Sequence, residues 1–396
     1  MPAKRTARPK VAYDATPTFQ LGHRPFFSIV IPCYNSTFDT LGVLLNSIVE
    51  QHMRDDIEVI IADDCSKKNY QDVIAKYADK ISIRQVQTAY NFGPSNTRQC
   101  GVEAAEGEWI CFADQDDEFF PNMLAEVKRN ILASQEQFFA IANFVEWNPE
   151  TNQAIREMRE YRNWTHGKFY NLDNFWQPFG LHFKKDLKTH EDIYLCSLVN
   201  CALSSIDQEP LFIDQTVYKW NHHRDSVSHR TYNGRTFVET FFGDYIEATG
   251  DCYISNYLEN GDNLNPEVVI QCTVETILFS YFYIQSFKHR NPGAWLPVNE
   301  EIFRKYYVKC KRIFSMTNDV VFSYAYNAGN GSLYNDVREA AQIGVGRFVE
   351  LESLSEWLER IHADILPPTG LNDMVPDPVP AAEEAGVSEV VEGPEA

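Results

Sequence analysis

The sequence is short of several things, and each shortage excludes a class. Its nine cysteines, an odd number, form no CxxC pair and show no Cys/His ligand spacing, so neither a disulfide framework nor a zinc site is expected. Free thiols in a reducing compartment are the simpler expectation. Apolar runs such as that from Phe26 to Cys33 fall far short of the ~18–20 residues that a membrane span needs, and no apolar stretch of signal-peptide type follows the opening MPAKRTARPK. We therefore expect a soluble cytoplasmic protein with no membrane span. Basic residues are scarce as well: 35 Lys+Arg stand against 56 Asp+Glu, a net charge of −21. A surface of that sign is a poor coat for polyanions, which puts nucleic acid low among the expected partners. There is no internal repeat, and no feature specifies an oligomeric state.

What is present is an ordinary globular composition in 396 residues, with 44% hydrophobic and 13% aromatic residues. The ends differ from the middle. Residues 1–24 begin with a basic cluster, Lys4, Arg5, Arg8 and Lys10, and are expected to be flexible. Residues 367–396 are acidic, repeat Pro, Ala, Val and Glu, and carry no aromatic residue, so they cannot bury enough surface to offset their ordering entropy. Disorder is expected there.

From Phe26 to about Trp147 strands and helices alternate. Ser28 to Ile31 reads as a buried strand, and Leu41, Leu44, Leu45 and Ile48 follow at helical spacing. Ile57 to Ile61 is a second strand, with a second stripe at Tyr70, Val73, Ile74 and Tyr77. Ile81 to Val86 leads to a helix opened by Pro94, and Trp109 to Ala113 is a fourth strand. Single helices between short strands imply an α/β fold with a mostly parallel sheet covered on both faces. Beyond about Arg230 the pattern becomes long helical stripes. Asn265 and Pro266 open one that carries Val269, Ile270, Val274, Ile277, Leu278, Tyr281 and Phe282. We expect a catalytic domain over 25–229 and a mainly helical module over 230–366.

In such sheets ligands bind beyond the carboxyl ends of the strands, and the chemically informative residues sit there. The first strand ends in Pro32-Cys33-Tyr34-Asn35, the second in Asp63-Asp64-Cys65-Ser66, and the fourth in Asp114-Gln115-Asp116-Asp117. Two carboxylates one residue apart after a buried strand suit a hard divalent cation that also meets phosphate. Tyr34 offers a face for stacking a base, Asp64 an acceptor for an imide N–H, and Arg98 a partner for phosphate or sugar oxygens. Each has a duller alternative: a packed aromatic, a helix cap, a surface ion pair. Their shared location favours the nucleotide reading.

The ordered series Ser28-Ile29-Val30-Ile31-Pro32-Cys33-Tyr34-Asn35, Ile61-Ala62-Asp63-Asp64-Cys65-Ser66, Asn91-Phe92-Gly93 with Arg98, Ala105-Glu106-Gly107-Glu108-Trp109-Ile110 and Asp114-Gln115-Asp116-Asp117 resembles the family-two glycosyltransferases of GT-A fold. The likeness is close from Phe26 to Trp147 and weaker to about Ser228. It implies an inverting transferase that takes its sugar from a nucleoside-diphosphate donor, most plausibly a UDP-sugar, with Mn²⁺ or Mg²⁺ as cofactor. By this resemblance Pro32, Tyr34 and Asp64 hold the base, Arg98 and Asp114 face the sugar and ribose, and Asn35, Asn91 and Gln115 complete the donor site. Asp116 takes the cation. The general base comes from Glu191-Asp192, with Asp192 in that role and Glu191 in support. The segment from Tyr218 to Ser226 resembles the aromatic and basic stretch that closes the domain in relatives, so His223 or Arg224 would reach the metal or the departing diphosphate. Trp176 and Phe179 are expected on the acceptor floor, near Asp117. Gln99 and Thr97 flank Arg98 where relatives often have Asn and a small residue, without loss of the arginine.

The expected acceptor is a hydroxyl of a glycan or cell-surface polymer. Alternatives are the same chemistry on a hydroxylated base of viral DNA and a non-catalytic nucleotide-sugar or glycan binder. A sugar-1-phosphate nucleotidyltransferase is disfavoured because the loop after the first strand, Pro32 to Ser36, has no glycine.

Overall fold

The computed structural model describes residues 21–222 except 68 and 186, then 240–260, 264–290, 297–326, 332–345 and 348–363. Both terminal segments, His223 and Arg224, and the expected boundary at 229/230 lie outside the described residues.

The nucleotide-binding half forms as its periodicity dictates. Strand β1 (Phe27–Cys33) lies between β2 (Ile57–Asp63) and β4 (Trp109–Phe112), and β3 (Ser82–Gln87) flanks β2; all three pairings are parallel. Helix α1 (Phe38–Val49) is capped by Thr37, whose side chain accepts from the Thr40 N–H, and it buries Leu41, Leu44, Leu45 and Ile48. Helix α2 (Gln71–Tyr77) buries Val73, Ile74 and Tyr77. Helix α3 (Pro94–Ala104) starts at Pro94 after Gly93, whose φ of 90° favours glycine. Gly101 lets α3 lie close on the sheet, since a Cβ there would sit 2.4 Å from a Val30 methyl.

Past β4 the mostly parallel sheet takes in antiparallel strands. Strand β5 (Glu118–Phe119) and helix α4 (Met123–Ser134) lead to β6 (Phe139–Asn148), β7 (Gln153–Met158) and β8 (Lys168–Asn171). Helix α5 (Glu191–Ser205) and β9 (Leu211–Asn221) follow. The nine-stranded sheet runs β3-β2-β1-β4-β8-β6-β9-β5, with β7 paired to β6 and β8 antiparallel to both of its neighbours. Short antiparallel pieces of this kind give no helix-strand alternation in the sequence, which is why they were not foreseen.

A buried polar network ties the amino ends of the parallel strands together. Glu58 accepts from Ser28 Oγ at 2.5 Å and from the Glu106 and Gly107 N–H groups at 2.6 and 3.0 Å. Its other oxygen pairs with Arg84, which also reaches Glu106 at 3.1 Å. Both Glu58 and Arg84 are buried.

The later helices form a second core around the long helix Pro266–Arg290, where Val274, Ile277, Leu278, Tyr281 and Phe282 are buried with Phe303 and Trp357, whose rings stack 4.4 Å apart. Lys288 and Arg360 each pair with Glu300 and Glu352, which joins three of these helices. Helix Pro266–Arg290 qualifies the expectation about apolar stretches: it has 25 residues, and its most apolar 18 have a mean hydropathy of 1.3, long and apolar enough to cross a membrane by length and composition alone, although 61% of those 18 are buried inside the molecule. Polar residues spaced along it, Gln271, Glu275, Ser280 and Gln285 among them, keep any uninterrupted apolar run short. Ala248 and Cys252 instead share a core with Leu195 and Val199 of α5.

Replacing Glu58 with Ala leaves the buried Arg84 guanidinium with only the exposed Glu106 as partner, so urea unfolding should show a loss of roughly 3–5 kcal/mol. A loss below about 1 kcal/mol would show that this network does not hold the strand ends.

Candidate functional site

The carboxyl ends of β1, β2 and β4 meet the start of α5, and the strand-end clusters converge there. Asn35, at φ 50°, donates its N–H to Ser66 Oγ at 2.8 Å and accepts from the Lys67 N–H at 3.0 Å, which links the ends of β1 and β2. Gln115 crosses from β4 to accept from the Tyr34 N–H at 3.2 Å and from Ser36 Oγ. The Tyr34 ring is left 48% exposed, an open face at the cleft. Pro32 lies just before it in β1, half-buried.

Asp63 and Asp64 divide their work. Asp63 is buried and accepts from Gln85, Gln87 and the Ser66 N–H, all within the protein. Asp64 gathers the loop beyond β3, accepting from Thr88 Oγ1 at 3.1 Å and from the Phe92 and Gly93 N–H groups at 2.9 Å each. Asp64 is itself buried, with these three donors on its two carboxylate oxygens. Asn91 is exposed on that loop.

Arg98 is buried and joins the two sides of the site: it donates to Asp114 Oδ1 at 2.6 Å and to Glu191 Oε1 at 2.5 Å. Burial opposes ionisation of Asp114, but Arg98 and His166 hold its carboxyl well below the usual carboxylate range. Burial works against the Arg98 charge too, yet its two carboxylates push its pKa up.

Glu191 and Asp192 open α5, where the helix dipole favours anions. Here the two acids part. Glu191 is ion-paired, whereas half-buried Asp192 accepts from its own Ile193 N–H at 2.8 Å. Burial, reinforced by the Glu191 charge, pushes the Asp192 carboxyl up to about 7 from an ordinary 3.8.

His166 is an addition that the sequence reading missed, since Thr165-His166-Gly167 fits no recognised spacing. Its ring stacks on Tyr218 and Trp220 at 5.4 and 5.9 Å, and its Nε2 lies 3.5 Å from Asp114 and 3.8 Å from Asp117. Asp114, Asp117 and His166 present ligand atoms within 4.8 Å of one another. The Asp117 oxygens, however, accept from Tyr218 OH at 2.7 Å and the Asn221 N–H at 2.8 Å, and Asp114 serves Arg98. This is a buried charge cluster bound up with the protein itself. Asp116 is half-buried beside it, its carbonyl taking the Asn221 side-chain N–H at 2.8 Å. Hard oxygen donors of this kind fit Mg²⁺ or Mn²⁺.

Two acceptor-side expectations are corrected. Asp117 is 1% exposed with both oxygens engaged, and Trp176 is 4% exposed, packed on Phe112, Tyr170 and Phe183. Neither faces the cleft, because core packing claims both. Phe179 is half-buried against Phe175.

Comparison with known proteins agrees with this geometry. The sequence matches glycosyl transferase family 2 over residues 28–204. It is 36% identical over 93 residues to the poly(ribitol-phosphate) beta-N-acetylglucosaminyltransferase TarS of Staphylococcus aureus, 23% of this chain and 16% of that protein. It is 30% identical over 117 residues to the Escherichia coli UDP-Glc:alpha-D-GlcNAc-diphosphoundecaprenol beta-1,3-glucosyltransferase WfaP, 30% of this chain and 45% of that protein. The matched stretch thus spans well under two thirds of either relative. Among solved structures, S. aureus TarS 1–349 in complex with UDP-GlcNAc superposes with a TM-score of 0.59 at 18% identity, covering 83% of this chain and 98% of that one. Residues 28–204 are thus similar to glycosyl transferase family 2, and the chain shares the fold of TarS 1–349.

The raised Asp192 carboxyl has a consequence for stability. A folded-state pKa above the unfolded one means that the protonated acid stabilises the fold; this contribution is complete below pH about 4 and lost as pH rises through about 7. Asp192→Asn should therefore raise stability at pH 8 by on the order of 1–3 kcal/mol and leave it unchanged at pH 4, as read by thermal unfolding at the two pH values. Equal effects at both would contradict the raised pKa.

Proposed function

We propose that this protein transfers a sugar from a nucleoside-diphosphate donor, a UDP-sugar, to a hydroxyl of a glycan or cell-surface polymer, with inversion at the anomeric carbon. The observation that carries this reading is the division at the start of α5: Glu191 is held by Arg98, while Asp192 is poised near neutrality. A general base works best with a pKa close to the operating pH. Support comes from the similarity to glycosyl transferase family 2 and from relatives whose names specify transfer to poly(ribitol-phosphate) or to a lipid-linked sugar.

In this reading Tyr34 stacks on the base, with Pro32 behind it, and Asp64 accepts from the imide N–H. Arg98 and Asp114 form one wall toward the ribose and sugar, and Gln115, Asn35 and Asn91 border the donor. Asp192 removes the acceptor proton as the hydroxyl oxygen bonds the anomeric carbon; the bond from that carbon to the diphosphate breaks, and its electron pair leaves with the diphosphate. Glu191 supports the base by fixing Arg98. Mn²⁺ or Mg²⁺ held by Asp116 would supply positive charge for the diphosphate. Phe179 remains the acceptor-side aromatic, and His223 and Arg224 are proposed to assist at the diphosphate.

A thermal-shift screen of nucleotide sugars with Mn²⁺ should find a donor that raises the midpoint, since a ligand that binds only the folded state must stabilise it. In transfer assays Asp192→Asn should lower kcat by about 10³-fold or more with donor binding retained, and Asp116→Ala should abolish the response to the cation. Full activity of the Asp192 variant would remove its role as base.

A further inference from the structure

A second buried cation lies on β8, on the sheet face turned toward α5, and the roles above leave it unused. Lys168 is 1% exposed on β8. Side chains alternate along a strand. Phe169 joins the core on one face of the sheet, whereas Tyr170 joins the other with Leu195 and Val199 of α5. Lys168 shares the Tyr170 side and so points at α5, where Asp192 and Cys196 stand one turn apart on the same face. Its ammonium donates to the Tyr161 carbonyl at 2.8 Å. Among the described residues no carboxylate lies within ion-pair distance of it.

A buried ammonium without a paired carboxylate is costly, and an apolar residue of the same length would be cheaper to fold. The electrostatic surroundings of Asp192 show what the lysine offers in return. The groups electrostatically linked to that carboxyl are Glu191 and Cys196 on α5, Arg98 on α3, Asp114 after β4, Lys168 and Tyr170 on β8, and Tyr161 before it. Arg98 is committed to Asp114 and Glu191. Lys168 is the other cation in this set. Burial draws its pKa down to about 8, with Cys196 and Asp192 opposing, which leaves it charged at neutral pH.

We propose that Lys168 is a positioning residue for the base: held by the Tyr161 carbonyl on the sheet face turned toward α5, its positive charge keeps the Asp192 carboxylate ionised and able to accept the acceptor proton. This rests on the reading of Asp192 as base, so the test separates the two.

The pH profile of kcat/KM is measured for the wild type, Lys168→Met, Lys168→Gln, Lys168→Arg and Asp192→Asn, with the Asp192 carboxyl titration followed by carbon NMR on the folded protein. The neutral variants should move the acid limb and the carboxyl titration upward by about one pH unit, a loss of about tenfold at pH 6 and under about twofold at pH 8.5, with donor KM unchanged. Lys168→Arg should keep the wild-type limb. The thermal midpoint of Lys168→Met should stay within a few degrees of wild type, which a residue retained only for stability would not allow. Gln keeps a polar contact to Tyr161, so it reports if the Met variant does not fold. An acid limb and titration that stay in place in the neutral variants overturn the proposal. Full activity of Asp192→Asn overturns the base assignment instead.

Discussion

The site depends on one buried guanidinium. Arg98 reaches from α3 to Asp114 at the end of β4 and to Glu191 at the start of α5, 16 and 93 residues away in sequence. Charge-assisted bonds of this kind are strong and directional, and removing either carboxylate leaves the buried guanidinium with half of its compensation. Through them α3, β4 and α5 are held in one arrangement. Gly101 serves the same end, because only a helix lying close on Val30 and Ala62 brings Arg98 to both partners.

Polar groups are concentrated at opposite ends of the parallel strands, for different purposes. At the amino ends, Glu58 and Arg84 pair with each other, and Glu58 also takes the backbone N–H groups of Glu106 and Gly107. At the carboxyl ends the groups are only partly satisfied. Tyr34 is exposed, and Asp192 sits where its ionisation is costly. Stability is given up at this end, as expected where a fold is shaped for chemistry.

Much of the parallel half was legible in the sequence. Buried runs such as Ser28 to Ile31 and stripes such as Leu41, Leu44, Leu45 and Ile48 declare strand and helix by period alone, and the acidic clusters follow directly after the strands. The antiparallel insertion of β8 was not legible, because a four-residue strand carries too little pattern. Trp176 and Asp117 illustrate a second limit. An aromatic or an acid near a cleft motif reads as functional until packing shows it facing inward.

The sequence alone determined that three polar strand ends would share one edge of a parallel sheet, since local periodicity and crossover connections leave few other arrangements. It also supplied the acidic pair Glu191-Asp192 as neighbours in one helical turn. Which of the two is ion-paired and which stands near neutrality was decided only by tertiary structure. That choice rests on Arg98 from a helix far away in sequence and on the burial around Asp192, and neither quantity exists until the chain has folded.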